Sequence, residues 1–123
     1  MALVLSSAPA DDVVVVHVRG ELDVATAGYL WPHVSGLIER GQRHILIDCT
    51  QLFFLDCFGL SALLRCSRAA GLDGGWMRLC QIDRTVLRLL SITGLVQVFL
   101  GEDEIQKLTT REGPPASASG APR

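Results

Sequence analysis

The sequence predicts a single α/β domain, and three observations carry that expectation. Runs rich in β-branched residues alternate with segments whose apolar residues recur at helical spacing, the pattern of strands joined by helical crossovers. The chain has 123 residues, a length that fits one compact domain and buries roughly two-thirds of the surface its unfolded form exposes. Hydrophobic residues make up 49% of it, yet no uninterrupted apolar run approaches the ~20 residues a membrane-spanning helix needs. The apolar excess must therefore line a core or an interface.

The first long element follows the acidic pair Asp11 and Asp12. Four consecutive valines, Val13 to Val16, then His17, Val18 and Arg19 contain no breaker and read as a strand. Its inward face is expected to be Val14, Val16 and Val18. A shorter strand from Leu3 to Ser6 precedes it, with the turn placed at Pro9. Thr26 is an N-cap candidate for a helix reaching about Arg40, with Leu30, Val34, Leu37 and Ile38 as its apolar stripe and Gly41 as its stop signal. Pro32 conflicts with that start, because a proline inside a helix removes a hydrogen bond and costs about 3 kcal/mol outside the first turn. A start near Tyr29, or a bend there, resolves the conflict.

The apolar run from Ile45 to Leu55 carries a buried strand at His44 to Cys49 and leads to Asp56, an N-cap for a helix from about Cys57 to Ala70. A glycine-bearing turn, Gly71 to Gly75, opens a strand from Trp76 to Ile82. A helix from Arg84 to Ser91 follows, stopping before Gly94. Val96 to Leu100 reads as a last strand, and Glu102 to Leu108 as a terminal helix with acids at its start. Helical crossovers between strands imply parallel pairing. Residues 1–110 are expected to form the domain. Residues 111–123, mainly Pro, Ala, Ser and Gly, hold too few apolar groups to offset the cost of ordering them.

Charge and cysteine usage exclude several classes of function. The formal net charge is -2 with Arg and Lys dispersed, so no basic stripe exists to track a phosphate backbone and direct nucleic-acid binding is not expected. Cys49, Cys57, Cys66 and Cys80 contain no C-x-x-C pair, and His17, His33 and His44 fall on three different elements. Neither a metal site nor a thioredoxin-like motif is indicated. The glycines after Gly71 lie between a helix and a strand, the reverse of the order that aims backbone amides at a phosphate. No cofactor is expected. The N-terminal Met1 to Leu5 lacks the basic region of a signal peptide, which makes the cytoplasm the default location and membrane insertion unexpected.

Two short motifs carry the remaining information. Gly20-Glu21-Leu22-Asp23 with Thr26 and Ala27, and Leu55-Asp56-Cys57-Phe58-Gly59-Leu60, stand at a characteristic separation, with Thr93-Gly94-Leu95 further on. Together they resemble the STAS-domain family, which includes the bacterial anti-sigma factor antagonists, over about Val4 to Leu108. The resemblance implies a mixed sheet of four or five strands with about four helices packed mainly on one side. It implies a non-enzymatic regulatory protein, working by partner switching, that binds an anti-sigma factor of the ATP-binding kinase class and so releases a sigma factor. Glu21, Asp23, Thr26, Asp56, Cys57, Phe58 and Gly59 are the partner-binding residues it points to.

The departure from the family pattern lies in the second motif. Members usually carry two serines between the Asp and the Gly, and the kinase phosphorylates the second. Here those positions hold Cys57 and Phe58. Phenylalanine has no nucleophilic atom, so Phe58 stands at the phosphoacceptor position without its chemistry. If exposed, it adds apolar contact area for a partner; turned inward, it would belong to the core. Asp23 is either a partner contact or a simple loop acid. Cys57, in the first turn of a helix, is either a reactive thiol or, as favoured, a small buried hydrophobe sharing a face with Leu60 and Leu64. Two other functions stay open: a structural subunit of a stressosome-like or transporter-associated assembly, with self-association, or a redox-regulated module using Cys57 or Cys66.

Overall fold

The computed structural model describes residues 3–72, 74–101 and 105–106. In chain order the elements are β1 (Leu3–Ala10), β2 (Val13–Leu22), α1 (Ala27–Glu39), β3 (His44–Leu55), α2 (Cys57–Leu72), β4 (Trp76–Cys80), α3 (Arg84–Thr93) and α4 (Val96–Phe99). One mixed sheet has the order β1-β2-β3-β4. β1 runs antiparallel to β2, while β2, β3 and β4 are parallel and linked by α1 and α2. The single α/β architecture expected from the sequence is the one observed.

The alternation in β2 sorts the sheet. Val14, Val16 and Val18 are buried together with Ile45 and Ile47 of β3 and Met77 and Leu79 of β4. Leu30, Val34 and Leu37 of α1 and Leu60, Leu63 and Cys66 of α2 complete this core. Burying a side chain of this size contributes roughly 1.5–3 kcal/mol. The opposite sheet face carries His17, whose Nδ1 lies 2.9 Å from the Asp48 carboxylate, and His44, whose ring stacks on Trp76 at 5.0 Å.

Several expectations change in the structure. The hairpin turn falls at Asp11-Asp12, not Pro9; β1 continues to Ala10, with Pro9 opposite Val14. β1 is a sheet edge, where a missing N–H is tolerated. α1 begins at Ala27, not near Tyr29, and carries Pro32 inside it. Its start is set by the preceding loop, where the Asp23 carbonyl accepts from the amides of Thr26 and Ala27 at 3.1 and 2.8 Å. β4 ends at Cys80, two residues before the expected Ile82, because Gln81 turns into the left-handed region at φ 57° and Asp83 caps α3.

The expected strand from Val96 to Leu100 is the short helix α4, whose Phe99 is fully buried and whose end leaves Leu100 in the core. Gly94 closes α3 as expected, in the left-handed conformation at φ 75°. Of the terminal helix expected from Glu102 to Leu108, only Ile105 and Gln106 are described, and both are helical. The tail from 111 onward lies outside the described residues. No described helix is long and apolar enough to cross a membrane.

Candidate partner-binding surface

The two motifs meet at one end of the sheet. β2 and β3 remain paired to their last residues, Glu21 with Phe54 and Leu22 with Leu55, so both chains leave the sheet side by side. The Asp56 amide then donates to the Leu22 carbonyl at 3.3 Å. Gly59 packs directly on the same carbonyl: a Cβ at Gly59 would sit 2.2 Å from Leu22 O. No L side chain fits there, so this glycine allows α2 to begin against the first loop.

That first loop is held from within. Thr26, 3% exposed, turns its hydroxyl back toward the strand, donating to the Glu21 carbonyl at 2.7 Å and accepting from the Asp23 amide at 3.0 Å. It occupies the N-cap position of α1 yet makes no side-chain cap. Asp23 Oδ1 accepts from the amides of Ala25 and Thr26 at 3.0 and 3.2 Å. Asp23 is half-buried and orders its own loop, an Asx-type arrangement that fixes the backbone where α1 begins.

The second loop is shorter. Asp56 Oδ1 accepts from the Gly59 amide at 3.0 Å and its carbonyl from the Leu60 amide at 2.9 Å, which makes Asp56 the N-cap of α2. Behind it the helix buries Gly59, Leu63, Cys66 and Ala70. Cys57 lies two positions before Gly59, about 200° around the helix, and is exposed rather than buried with Leu60. Cys66 is enclosed, and burial pushes its thiol up to about 12, the setting of an inert rather than a redox-active cysteine. All four cysteines are free thiols.

Phe58 is 54% exposed. Of the seven residues singled out from the sequence, Glu21, Asp23, Asp56, Cys57 and Phe58 reach the surface, while Thr26 and Gly59 are buried and shape the loops. Four exposed apolar side chains on the same segments were not anticipated: Val24, Tyr29, Phe53 and Phe54. The phenylalanines follow from two single-residue irregularities in the β2–β3 register, opposite His17–Arg19 and Gly20–Glu21. Each inserts an extra residue into β3, and the second lets both Phe53 and Phe54 escape the core while Leu52 stays buried. Gly20, beside the second one on β2, has φ 114°, a conformation open to glycine. A doubled apolar pair at the end of an alternating strand is the sequence signal that could have marked them.

Neither 20–38 nor 44–64 contains a Lys or Arg, so Glu21, Asp23 and Asp56 stand beside the exposed aromatics without a basic residue in either segment. Among the described residues no group of His, Cys, Asp and Glu is arranged to hold a metal ion.

Comparison with known proteins agrees with this geometry. The model of the STAS domain matches residues 7–109. The anti-sigma F factor antagonist of Paenibacillus polymyxa is 31% identical over 102 residues, covering 81% of this chain and 87% of its own. Among solved structures, an anti-sigma factor antagonist from Mycobacterium paratuberculosis superposes with a TM-score of 0.72 at 24% identity, covering 86% of this chain and 93% of that one. The unphosphorylated anti-sigma factor antagonist SpoIIAA does so with a TM-score of 0.63 at 20% identity, covering 89% and 96%. With its motif pair, sheet order and matched span, this chain belongs to the STAS-domain family, in its anti-sigma factor antagonist group.

Proposed function

We propose that this protein is a non-enzymatic anti-sigma factor antagonist: it binds an anti-sigma factor of the ATP-binding kinase class, releases a sigma factor, and is not switched off by phosphorylation at the usual position. The observation that carries this is Phe58, exposed in the first turn of α2 beside the cap Asp56. A phosphoryl group at a helix start changes an interface by adding charge of about -1.5 to -2 and three acceptor oxygens. Phe58 offers no atom to receive it, and presents apolar area to the partner instead. Glu21, Asp23 and Asp56 give the contact its negative charge, and Thr26 and Gly59 hold the two loops in position.

The relative from Paenibacillus polymyxa supports an anti-sigma factor as the partner, since it is an anti-sigma F factor antagonist. The test is calorimetric titration of the full chain against each anti-sigma factor kinase of its own organism with ATP present, followed by intact-mass measurement. Binding that survives ATP, is lost in Asp23→Lys and leaves the mass unchanged is the expected result. Binding that is equally tight in Asp23→Lys would move the contact to another surface.

A further inference from the structure

We propose that the open edge of β3 from Gln51 to Leu55 is a strand-docking site, filled by an extended, apolar segment of the same partner that covers Phe58. This rests on the function proposed above and adds a second contact to it.

The edge arises because the two neighbours of β3 differ in length. β2 pairs with β3 as far as Leu55, whereas β4 pairs only from His44 to Asp48. The Thr50 amide is closed locally by Asp48 Oδ1 at 3.0 Å. Beyond it, among the described residues, no backbone hydrogen bond reaches β3 from the side of β4. The chain after Cys80 turns away at Gln81 and enters α3, leaving a cleft of about 100 Å³ between Leu52 to Leu55 on one side and Asp83, Thr85 and Val86 on the other. Cofactor and drug-sized ligands occupy roughly 300–1,000 Å³. This cleft is of side-chain size, and what the edge beside it lacks is a row of backbone partners, which only another extended chain supplies.

Residues 49–55 contain no charge and no proline, two of the usual protections of an exposed edge, and Phe53 is 73% exposed on it. The edge runs without interruption into Asp56 and Phe58, and its Phe54 is the ladder neighbour of Glu21. A partner seated on the loop surface therefore reaches the edge without a gap. A second copy of this chain is the less suited occupant, because it would bring the same acids, Glu21, Asp23 and Asp56, against themselves.

The experiment is amide hydrogen exchange on the full chain, alone and mixed with the purified anti-sigma factor kinases of its organism. Strand docking slows at least tenfold in the complex those amides within Gln51–Leu55 that do not already face β2. Phe53→Lys weakens binding at least tenfold, Phe53→Leu retains it, and both keep the exchange pattern of the free protein elsewhere. If a kinase binds, is lost in Asp23→Lys, but leaves these amides and Phe53→Lys unaffected, the loop surface stands and the edge contact is overturned. Protection of the same amides that grows with concentration in the protein alone assigns the edge to a second copy, which also overturns it. Failure of any kinase to bind overturns both contacts.

Discussion

The two loops that meet at the end of the sheet are built in opposite ways. From Glu21 to Ala27 the loop closes on itself: Thr26 is enclosed and joined to the Glu21 carbonyl and the Asp23 amide, and Asp23 holds the amides of its own turn. From Phe53 to Gly59 the only ionisable carboxylate, Asp56, caps α2, and the aromatics face outward. The first loop satisfies its polar groups internally while Glu21 and Asp23 still reach the surface, and the second turns its aromatics outward and rests on the first through Gly59 and Leu22. The lesson is that residues of one motif divide into those that reach the surface, where the proposed partner would bind, and those that hold the loops in place, and burial tells them apart.

The comparison breaks most completely at Gly59. In Gly59→Val the new side chain has no room against the Leu22 carbonyl, so α2 must shift; overpacking of this kind costs about 1–3 kcal/mol or more. Urea denaturation would show the loss, and binding should fall with it. Thr26→Val comes next. It leaves the Asp23 amide and Glu21 carbonyl without their buried partner, at about 1–3 kcal/mol, and Thr26→Ser should restore most of the stability and the partner affinity together. If Thr26 were itself a contact residue, the valine variant would lose affinity with its melting temperature unchanged.

A pair of caps separates support from contact at equal cost. Asp56→Ala and Asp83→Ala each remove a side-chain acceptor from a helix start, worth typically ~1 kcal/mol. Both should lower stability equally in thermal melts, while Asp56→Ala also lowers partner affinity. Phe58→Ala should leave stability within about 0.5 kcal/mol, as exposed substitutions do, and still weaken binding.

The smallest effects come from pH. Burial, and then the neighbouring Arg40, hold His33 below its ordinary 6.5. Folding thus favours the neutral ring; that stability is complete above the ordinary value and is lost as pH falls through the lower folded-state value. Burial acts to raise Asp48, but hydrogen bonds from the Thr50 hydroxyl and amide and from His17 outweigh it and hold the carboxyl below its ordinary value. Its contribution is lost only at more acidic pH. Acid titration of stability should show a shallow decline in the histidine range, removed in His33→Gln, and a second one among the carboxylates, reduced in Asp48→Asn.

Much of the fold was legible because periodicity acts locally. The inward valines of β2, the stripe of α1 and the stop of α3 at Gly94 all follow from spacing alone. Val96 to Leu100 misled because five apolar residues are too few to distinguish strand from helix; the left-handed turn at Gly94 and the burial of Phe99 decide it. Pro9 looked like a turn because nothing in the chain announces that β1 is an edge. At the site, the motif pair identified which residues would gather, and β2–β3 pairing does bring them together. The exposure of Phe53 and Phe54 was not legible, since it depends on register irregularities between strands distant in sequence. Counting from Leu60 places Cys57 with the core, whereas the buried stripe of α2, Gly59, Leu60, Leu63, Cys66 and Ala70, begins only at Gly59 and leaves Cys57 exposed.

The proposed antagonist lacks its off-switch only if a kinase partner cannot modify this chain. The most direct measurement is calorimetric titration of the wild type and Phe58→Ser against the cognate anti-sigma factor kinase with ATP, with intact-mass measurement of each mixture. The wild type should stay bound and unmodified, while Phe58→Ser should gain a phosphate and lose affinity as it does so. A phosphate on the wild-type chain accompanied by release of the partner would contradict the proposal.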